Sequence, residues 1–250
     1  MKAKPRRIRL DALLTERGLA ESSQKALAMI LAGEVCVDGR RIDKAGLSVA
    51  VDARIEITSR LQKYASRGGF KLEGALEDFA VDPSGRVCLD VGASTGGFSD
   101  CLLQRGAARV YAVDVNVEQL DWKLQQDSRI IRIERNARAL CPSDLPESPG
   151  LVVIDVSFIS VNKVLLPACA MAAPGADFLI LIKPQFELPR EEIGPGGIVE
   201  DKTLHEKAIR AVREKASFLG LEGLAIRPSH LLGAEGNQEY FLHARKKAVG

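Results

Sequence analysis

The stretch that decides the fold is DVGASTGGF, residues 90–98. An apolar run at 87–91 leads into it, and its small residues allow the backbone to approach a ligand at the N-terminus of the following helix. Asp114 ends the next apolar run, 22 positions after Gly92, where a carboxylate can accept hydrogen bonds from a ribose. The pattern predicts a ribose-containing ligand. An ordinary strand-to-helix turn is the alternative, although such a turn needs one glycine and this stretch holds three.

The spacing of these glycines argues against a dinucleotide. It does not match GxGxxG, the pattern that favours a pyrophosphate. An acidic residue before the glycine turn suits a ligand without phosphate whose methionine part carries an amine. Asp90 would lie near that positive group. The loop therefore favours a methionine-containing nucleoside over a nicotinamide dinucleotide.

The chain beyond residue 71 alternates between strands and helices. The predicted strands are 87–91, 110–114, 130–134, 151–156, 178–182, 223–228 and 239–245, and the predicted helices are 97–105, 117–125, 161–173 and 203–218. Such alternation indicates an α/β fold. We expect a Rossmann-like domain with a seven-stranded, mostly parallel sheet that is covered on both faces.

A smaller α+β unit precedes this domain. Leu10, Leu13 and Leu14 have helical spacing, and a second helix is predicted from Ser22 or Ser23 to Gly33. Short strands follow, with Val35 and Val37 before an Asp38-Gly39 hairpin turn, Ile42 after it, and Val49, Val51, Ile55 and Ile57 beyond. We assign residues 1–60 to this unit, 61–70 to a polar linker and 71–250 to the α/β domain.

Charge is distributed unevenly between the two parts. Residues 1–60 contain twelve Lys or Arg and eight Asp or Glu residues, a net +4, whereas the remaining residues have a net −2. A basic excess on a separate module fits a surface that contacts nucleic acid.

The cysteines and the hydropathy exclude several other classes. The five cysteines are scattered without CxxC or histidine spacing, which argues against a zinc site or disulfide framework; they are Cys36, Cys88, Cys101, Cys141 and Cys169. No apolar run approaches the roughly 20 residues that cross a bilayer. No secretory pattern follows the basic first ten residues. We therefore expect a cytoplasmic protein without a metal site or a membrane span.

Two motifs resemble known families. SRGGFKL at 66–72, upstream of the glycine loop, resembles the FtsJ-type ribose methyltransferases, and residues 9–11 and 30–35 resemble the S4 RNA-binding module. The two joined together are similar to the TlyA family of rRNA cytidine 2′-O-methyltransferases, historically also labelled haemolysins. This chain departs from the family pattern at Ser22-Ser23, where Ser-Arg is usual, and at 62–65, where QKYA replaces Arg-x-Trp-Val.

The resemblance implies S-adenosylmethionine as cofactor, ribosomal RNA or ribosomal subunits as partner, and a Lys-Asp-Lys-Glu tetrad. The matching positions are Lys71 before the first domain helix, Asp155 after LVVI, Lys183 after FLILI, and Glu239 at the start of the last strand. We expect Lys183 to stabilise negative charge on a ribose hydroxyl, with Asp155 orienting it. Lys71 could instead be a solvated lysine, Asp155 a turn cap and Glu239 an ordinary edge-strand residue.

The other candidate residues fall into two sets. Those expected at the cofactor are Asp90, Gly92, Ala93, Ser94, Thr95, Gly96, Gly97, Phe98, Asp114, Val115, Asn136, Ala137 and Asp155. Those expected to contact RNA are Arg6, Arg7, Arg9, Lys25, Arg40, Arg41 and Arg67.

Four alternative functions stay open on the sequence. A non-catalytic RNA-binding protein would keep the fold without the reaction, and a pore-forming haemolysin would need a membrane-active segment that is not evident. A nicotinamide oxidoreductase would need the GxGxxG glycine spacing. A pseudouridine synthase would need Arg-Leu-Asp in the second domain, whereas that triplet occurs only at 9–11.

Overall fold

A computed structural model describes residues 6–31, 33–42, 44, 46–57, 63–233 and 235–248, without the side chain of Arg41. Contacts divide the chain into two compact units, residues 1–63 and 64–250. The predicted domain boundary at residue 60 and Gln62 of the linker lie outside the described residues.

The first unit packs two helices on short strands. Its elements are β1 (Arg7–Arg9), α1 (Leu10–Glu16), α2 (Ser23–Leu31), β2 (Val35–Val37), β3 (Arg40–Ile42), β4 (Ser48–Ala50) and β5 (Ile55–Ile57). Strands β1 and β4 pair with each other, and β3, β2 and β5 form an antiparallel sheet. Leu10, Leu14, Ile30 and Val35 are fully buried in its core.

The local predictions for this unit largely hold. Ser22 caps α2, because its Oγ accepts the backbone N–H of Lys25 at 3.2 Å. Asp38 and Gly39 both have positive φ, 49° and 77°, as a two-residue hairpin turn requires. Val51 was expected in a strand, but β4 ends at Ala50 and Val51 begins a turn.

The second unit is a doubly wound α/β domain. Its strands are β6 (Val87–Val91), β7 (Arg109–Asp114), β8 (Ile130–Glu134), β9 (Leu151–Ile154), β10 (Asp177–Ile182), β11 (Leu221–Pro228) and β12 (Tyr240–Lys246). Its helices are α3 (Gly68–Asp78), α4 (Gly97–Gln104), α5 (Trp122–Gln125), α6 (Asn162–Met171), α7 (Pro184–Glu187) and α8 (Lys202–Phe218).

One seven-stranded sheet runs in the order β11-β12-β10-β9-β6-β7-β8. Strand β12 runs opposite to the other six strands of this sheet, which confirms the predicted mostly parallel sheet. Alternate strand residues face two separate cores. Leu72 of α3 and Leu102 of α4 pack in one core, and Leu165 of α6 and Val212 of α8 pack in the other.

The strand order also positions a site. The chain moves outward from β6 to β7 and β8, and then returns to the other side of β6 for β9 and β10. This reversal makes a crevice between β6 and β9 at their carboxyl ends. In open α/β sheets such a crevice is where ligands bind.

Several predicted boundaries in the α/β domain are wrong, among them the end of α6, at Met171 instead of residue 173, and the start of β11, at Leu221 instead of residue 223. Helix α3 begins at Gly68, so Lys71 lies inside it and not before it. The predicted helix 117–125 is a 3₁₀ turn at 117–119 and the short α5, because Leu120 between them is extended and Asn116 and Asp121 cap separate turns. Strand β9 ends at Ile154 instead of residue 156.

Part of the predicted linker packs within the second unit. Tyr64 is 2% exposed, and its hydroxyl donates to Glu73 Oε1 at 2.9 Å. Its ring lies so close to Gly69 that a Cβ there would be 2.3 Å from Tyr64 Cγ. An aromatic ring removed from water in this way binds residues 64–70 to the core.

A buried aspartate organises the amino end of the sheet. Asp177 begins β10 and is 6% exposed. Its carboxylate accepts from His243 Nε2 and Arg245 Nε, each at 3.0 Å, and pairs with Arg86 at 2.9 Å. Burial alone would raise its pKa, but the hydrogen bond from His243 and the contacts with Arg86 and Arg245 lower the pKa to about 2.

Candidate functional site

The glycine loop brings three segments into close contact. Gly92 has φ 91°, and a Cβ at this position would lie 2.2 Å from the carbonyl oxygen of Asp155. A Cβ at Gly97 would lie 2.1 Å from Ser66 Oγ. Side chains at these positions would therefore separate the end of β6 from β9 and α4 from the start of α3.

Asp114 holds the loop from the end of β7. Its carboxylate accepts the backbone N–H of Ser94 at 2.9 Å and of Asn116 at 3.1 Å, and the Gln119 side-chain amide at 3.2 Å. A carboxylate can accept about four hydrogen bonds. One acceptor position therefore remains for a ligand hydroxyl.

An open cavity of about 550 Å³ lies at the carboxyl ends of β6 and β7. Seven candidate cofactor residues line it: Gly92, Ser94, Asp114, Val115, Asn136, Ala137 and Asp155. Its size is within the range of small-ligand pockets.

Six further candidates do not line this cavity among the described residues: Asp90, Ala93, Thr95, Gly96, Gly97 and Phe98. Ala93 and Phe98 are each 4% exposed in the core, and Phe98 stacks on Phe241 with ring centroids 6.1 Å apart. A strand-to-helix turn exposes one side of its backbone to the crevice. The other side packs on the helix layer, which places the side chains of Ala93 and Phe98 behind the loop, whereas Thr95 is exposed outside the cavity.

Asp90 is a fully buried carboxyl behind the loop. Its Oδ2 accepts from Ser99 Oγ at 2.7 Å, while Oδ1 has no hydrogen-bond partner among the described residues. Burial raises its pKa to about 7, the Ser99 hydrogen bond opposes that rise, and the charges of Asp155 and Asp114 add to it. A cation bound nearby would stabilise its charged form.

The tetrad residues form two ion pairs. Lys183 Nζ lies 2.5 Å from Asp155 Oδ1 and donates to Ser157 Oγ at 2.8 Å. Lys71 Nζ lies 2.5 Å from Glu239 Oε2. Lys183 is 8% exposed and Glu239 2% exposed. Buried charges of this kind are retained when they are paired.

The sheet register brings these pairs together. Ile182 of β10 lies opposite Tyr240 of β12, so Lys183 and Glu239, the next residues outward, face each other beyond the ends of these antiparallel strands. Asp155 follows β9, which neighbours β10 in parallel. Lys71 reaches the same edge from the second turn of α3. Four distant segments thus converge beside the cavity that Asp155 lines.

The sequence analysis missed side chains at this edge. Ser157, Phe158, Arg135 and Arg138 line the cavity. Phe158 is 86% exposed and has φ 64°, an uncommon backbone conformation for a bulky residue, and its ring lies 5.3 Å from that of Phe186. An aromatic residue soon after a strand-end carboxylate was the available signal.

The candidate RNA contacts are distributed over both units. Arg6, Arg7, Arg9, Lys25 and Arg40 are exposed in the first unit, whereas Arg67 is exposed in the second at the start of α3. Arg9 pairs with Asp11 at 2.8 Å, and Arg7 donates to the Ser48 carbonyl. The side chain of Arg41 lies outside the described part.

The described residues contain neither a metal-site cluster nor a membrane-spanning helix. No group of three or more His, Cys, Asp or Glu side chains there has the geometry of a metal site. In the same part of the chain, no helix has the length and apolar character needed to cross a bilayer.

Comparison with known proteins gives consistent matches. The model of the FtsJ-like methyltransferase family matches residues 64–246, and that of the S4 domain matches residues 8–55. The 16S/23S rRNA (cytidine-2′-O)-methyltransferase TlyA of Mycobacterium tuberculosis is 46% identical over 96% of this chain and 90% of its own. Hemolysin A of Brachyspira hyodysenteriae is 40% identical over 94% of this chain and 99% of its own.

Solved structures agree with these sequence matches. A protein of Streptococcus thermophilus, provisionally described as a hemolysin, has a TM-score of 0.76 and 38% identity over 98% of this chain and 90% of its own. An S-adenosylmethionine dependent methyltransferase from Mesorhizobium loti shares the fold, with a TM-score of 0.50 and 14% identity over 70% of this chain and 98% of its own. The chain therefore belongs to the TlyA family of FtsJ-like methyltransferases.

Proposed function

We propose that this methyltransferase transfers a methyl group from S-adenosylmethionine to the ribose 2′-hydroxyl of a cytidine in ribosomal RNA. The observation that carries the proposal is the buried Lys183, held by Asp155 and Ser157 at the edge of a ligand-sized cavity. Because the second unit matches a methyltransferase family, the oxidoreductase and pseudouridine synthase alternatives are not supported.

The residues present fit S-adenosylmethionine. Asp114 would accept from the ribose hydroxyls, and Val115, Asn136 and Ala137 would contact the adenine. The Oδ1 atom of Asp90 has no hydrogen-bond partner among the described residues and the pKa of this carboxyl is raised, so no positive charge of the described chain offsets it. A ligand with an amine and a sulfonium supplies that charge. When bound, this cofactor supplies an activated methyl group on sulfur.

The chain's own residues prepare the acceptor. A ribose 2′-hydroxyl is a poor nucleophile at neutral pH, so the site must align it and stabilise its developing negative charge. Lys183 Nζ would donate to the hydroxyl oxygen, in a position held by its contacts with Asp155 and Ser157. The Lys71–Glu239 pair would fix the neighbouring edge of the site. Burial of both pairs strengthens these electrostatic interactions because water screens them less.

The substrate class follows from the acceptor and from the S4 domain. A 2′-hydroxyl distinguishes RNA from DNA. The basic first unit would hold phosphates, while the nucleotide is selected near the pocket. The relative from M. tuberculosis acts on cytidine in rRNA according to its name, and we extend that substrate to this protein. Action on ribosomes would place the protein in the cytoplasm.

The test is direct methyl transfer. Purified protein, labelled S-adenosylmethionine and unmodified ribosomal subunits are incubated, and the rRNA nucleosides are then analysed by mass spectrometry. We expect labelled 2′-O-methylcytidine. Labelled base-methylated nucleosides, or no label with either subunit while the protein binds the cofactor in calorimetry, would contradict the proposal.

A further inference from the structure

The loop between β9 and α6, residues 155–161, carries the groups that contact Lys183. Two residues near its start do so. Lys183 Nζ lies 2.5 Å from Asp155 Oδ1 and donates to Ser157 Oγ at 2.8 Å. The position of the Lys183 ammonium therefore depends on where the 155–161 loop places these two side chains.

The backbone of the 155–161 loop is anchored at its start but not in its middle. The Asp155 N–H donates to the Val91 carbonyl at 3.0 Å, whereas the N–H groups of residues 156–159 donate to no described residue. Phe158 has φ 64°, which a bulky residue keeps only where its surroundings hold it. Its ring is 86% exposed, so its contact with Phe186 contributes little to that hold. The loop needs an anchor beyond Phe158.

The carboxylate of Glu187 supplies that anchor. Glu187 ends α7, the one-turn helix that begins directly after Lys183. Its Oε2 accepts from Ser160 Oγ at 2.6 Å, and its Oε1 accepts the backbone N–H of Val161 at 2.8 Å. Ser160 Oγ also accepts the N–H of Asn162 at 3.2 Å. One side chain thus joins the end of the 155–161 loop and the first turn of α6 to the segment that carries Lys183.

This carboxyl group is in a costly place. Glu187 is partly buried, and burial raises its pKa, while the hydrogen bonds from Ser160 and Val161 oppose that rise. No cation of the described chain forms an ion pair with it. A buried carboxyl is tolerated when hydrogen bonds satisfy it. The two bonds to the loop are therefore what this side chain is placed to make.

We propose that Glu187 is a positioning residue for the methyl transfer: by holding Ser160 and Val161, it keeps Ser157 on Lys183 and so aligns the ammonium with the acceptor hydroxyl. Glu187 is not among the described residues that line the cofactor cavity, so it acts through the 155–161 loop. Without its carboxylate, the backbone at Phe158 relaxes and Ser157 moves away from Lys183. This inference rests on the proposed function for the identity of the reaction.

Exchange of the Lys183 ammonium protons tests the positioning without methyl transfer. Full-length protein with isotope-labelled lysine is studied by NMR as wild type, Glu187→Ala and the matched control Glu191→Ala, an exposed carboxylate. The Lys183 resonance is assigned by its absence in Lys183→Met. We expect exchange with water to be roughly fivefold faster or more in Glu187→Ala, as for the loss of one hydrogen bond, and unchanged in Glu191→Ala. Wild-type exchange in Glu187→Ala would overturn the proposal.

Turnover tests the consequence for the reaction. We expect the single-turnover rate at saturating cofactor and RNA to fall by roughly tenfold or more in Glu187→Ala, because a misplaced group loses its alignment with the acceptor. Glu187→Gln should stay within about twofold of wild type, since its amide accepts the Val161 N–H and donates to Ser160 Oγ. An equal loss in both variants would show that the charge matters and the hydrogen bonds do not, which overturns the positioning role.

Ser160→Ala keeps the test open where Glu187→Ala is unstable. It removes one of the two hydrogen bonds, and we expect a loss of about threefold in the single-turnover rate. Combined with Glu187→Ala, it should add no further loss, because both changes break the same contact. Losses that multiply in the double variant, or no loss in Ser160→Ala, contradict the proposal.

The outcomes separate the two proposals. Wild-type protein that transfers no methyl group to ribosomal subunits overturns the proposed function. The ammonium exchange still decides whether Glu187 positions Lys183, because it requires neither cofactor nor RNA.

Discussion

The two ends of the central sheet each hold a buried aspartate, and their pKa values shift in opposite directions. At the amino end, Asp177 is surrounded by Arg86, His243 and Arg245, and its pKa is lowered to about 2. At the carboxyl end, Ser99 is the one hydrogen-bond partner of the Asp90 side chain among the described residues, and burial raises the pKa of Asp90 to about 7. The amino end is electrostatically complete. At the carboxyl end the charge of Asp90 is not offset, which is the arrangement expected where a cationic ligand binds.

This contrast separates residues that stabilise the fold from residues that serve the reaction. Changes at the carboxyl end should alter ligand binding or turnover, whereas changes at the amino end should alter stability alone. The predictions below test that separation.

Lys183→Ala should give the largest effect. We expect turnover to fall by roughly 10²–10³-fold, as when a preorganised electrostatic stabiliser is removed, with cofactor affinity nearly unchanged. Single-turnover methyl transfer and calorimetry measure the two quantities. Lys163→Ala, at an exposed lysine of α6, is the matched control. Transfer at the wild-type rate by Lys183→Ala would remove this residue from the proposed mechanism.

Gly92→Ala should damage both the cavity and the fold. The new Cβ would lie 2.2 Å from the Asp155 carbonyl oxygen in a left-handed backbone, so β6 and β9 must separate, at a cost of about 2–3 kcal/mol. Urea unfolding and cofactor titration report both losses. Gly85→Ala serves as the control, since it shares the positive φ but has open space around it. Equal losses in the two variants would show that strain alone matters.

Asp90→Asn should stabilise the protein as the pH rises. The folded-state pKa of about 7 lies above the ordinary 3.8, so the wild type loses stability between about pH 4 and 7 as this buried group becomes charged. The variant avoids that loss, so its stability relative to the wild type should rise by about 4 kcal/mol between pH 4 and pH 8, because a shift of about 3 pKa units corresponds to about 1.4 kcal/mol for each unit. Its cofactor affinity should be lower. Thermal unfolding at pH 4.5 and 8 measures the difference, and parallel curves for the two proteins would contradict the raised pKa.

Asp177→Asn should have the smallest effect, and the pH dependence of its stability effect should be opposite to that of Asp90→Asn. Because the folded-state pKa is lowered to about 2, the wild type keeps this stabilisation above about pH 4 and loses it as the pH falls towards 2. We expect the variant to lose about 1–2 kcal/mol at pH 7, a modest value because Arg245 is largely exposed to solvent screening. Turnover of the folded variant should equal that of the wild type. A large loss of turnover in a variant of wild-type stability would contradict the separation of stabilising residues at the amino end from reaction residues at the carboxyl end.

Much of the fold was predictable because local patterns decide it. The apolar runs identified β6, β8 and β10 to within a residue, and the Asp38-Gly39 turn was correctly placed. The α5 region was not predictable in this way. Its helical pattern is real, but Asn116 and Asp121 offer competing caps, and Leu120 packs on Gly96 only in the folded protein.

The candidate site was also predictable only in part. The residues of the glycine loop and Asp114 are close in sequence, so their spacing indicated a ligand loop. Some of them nevertheless line the cavity, whereas Ala93 and Phe98 are buried behind the loop, because the loop has a solvent face and a core face.

The sequence alone determined the element order, the glycine loop and the four candidate tetrad positions, since each depends on neighbouring residues or on a family motif. Only the tertiary structure decided that Lys71 pairs with Glu239 and Lys183 with Asp155, and that Glu187 holds Ser160 and Val161. The reason is physical. Contacts of this kind arise where strand register brings distant segments to one edge, and register is a property of the folded sheet that no local pattern contains.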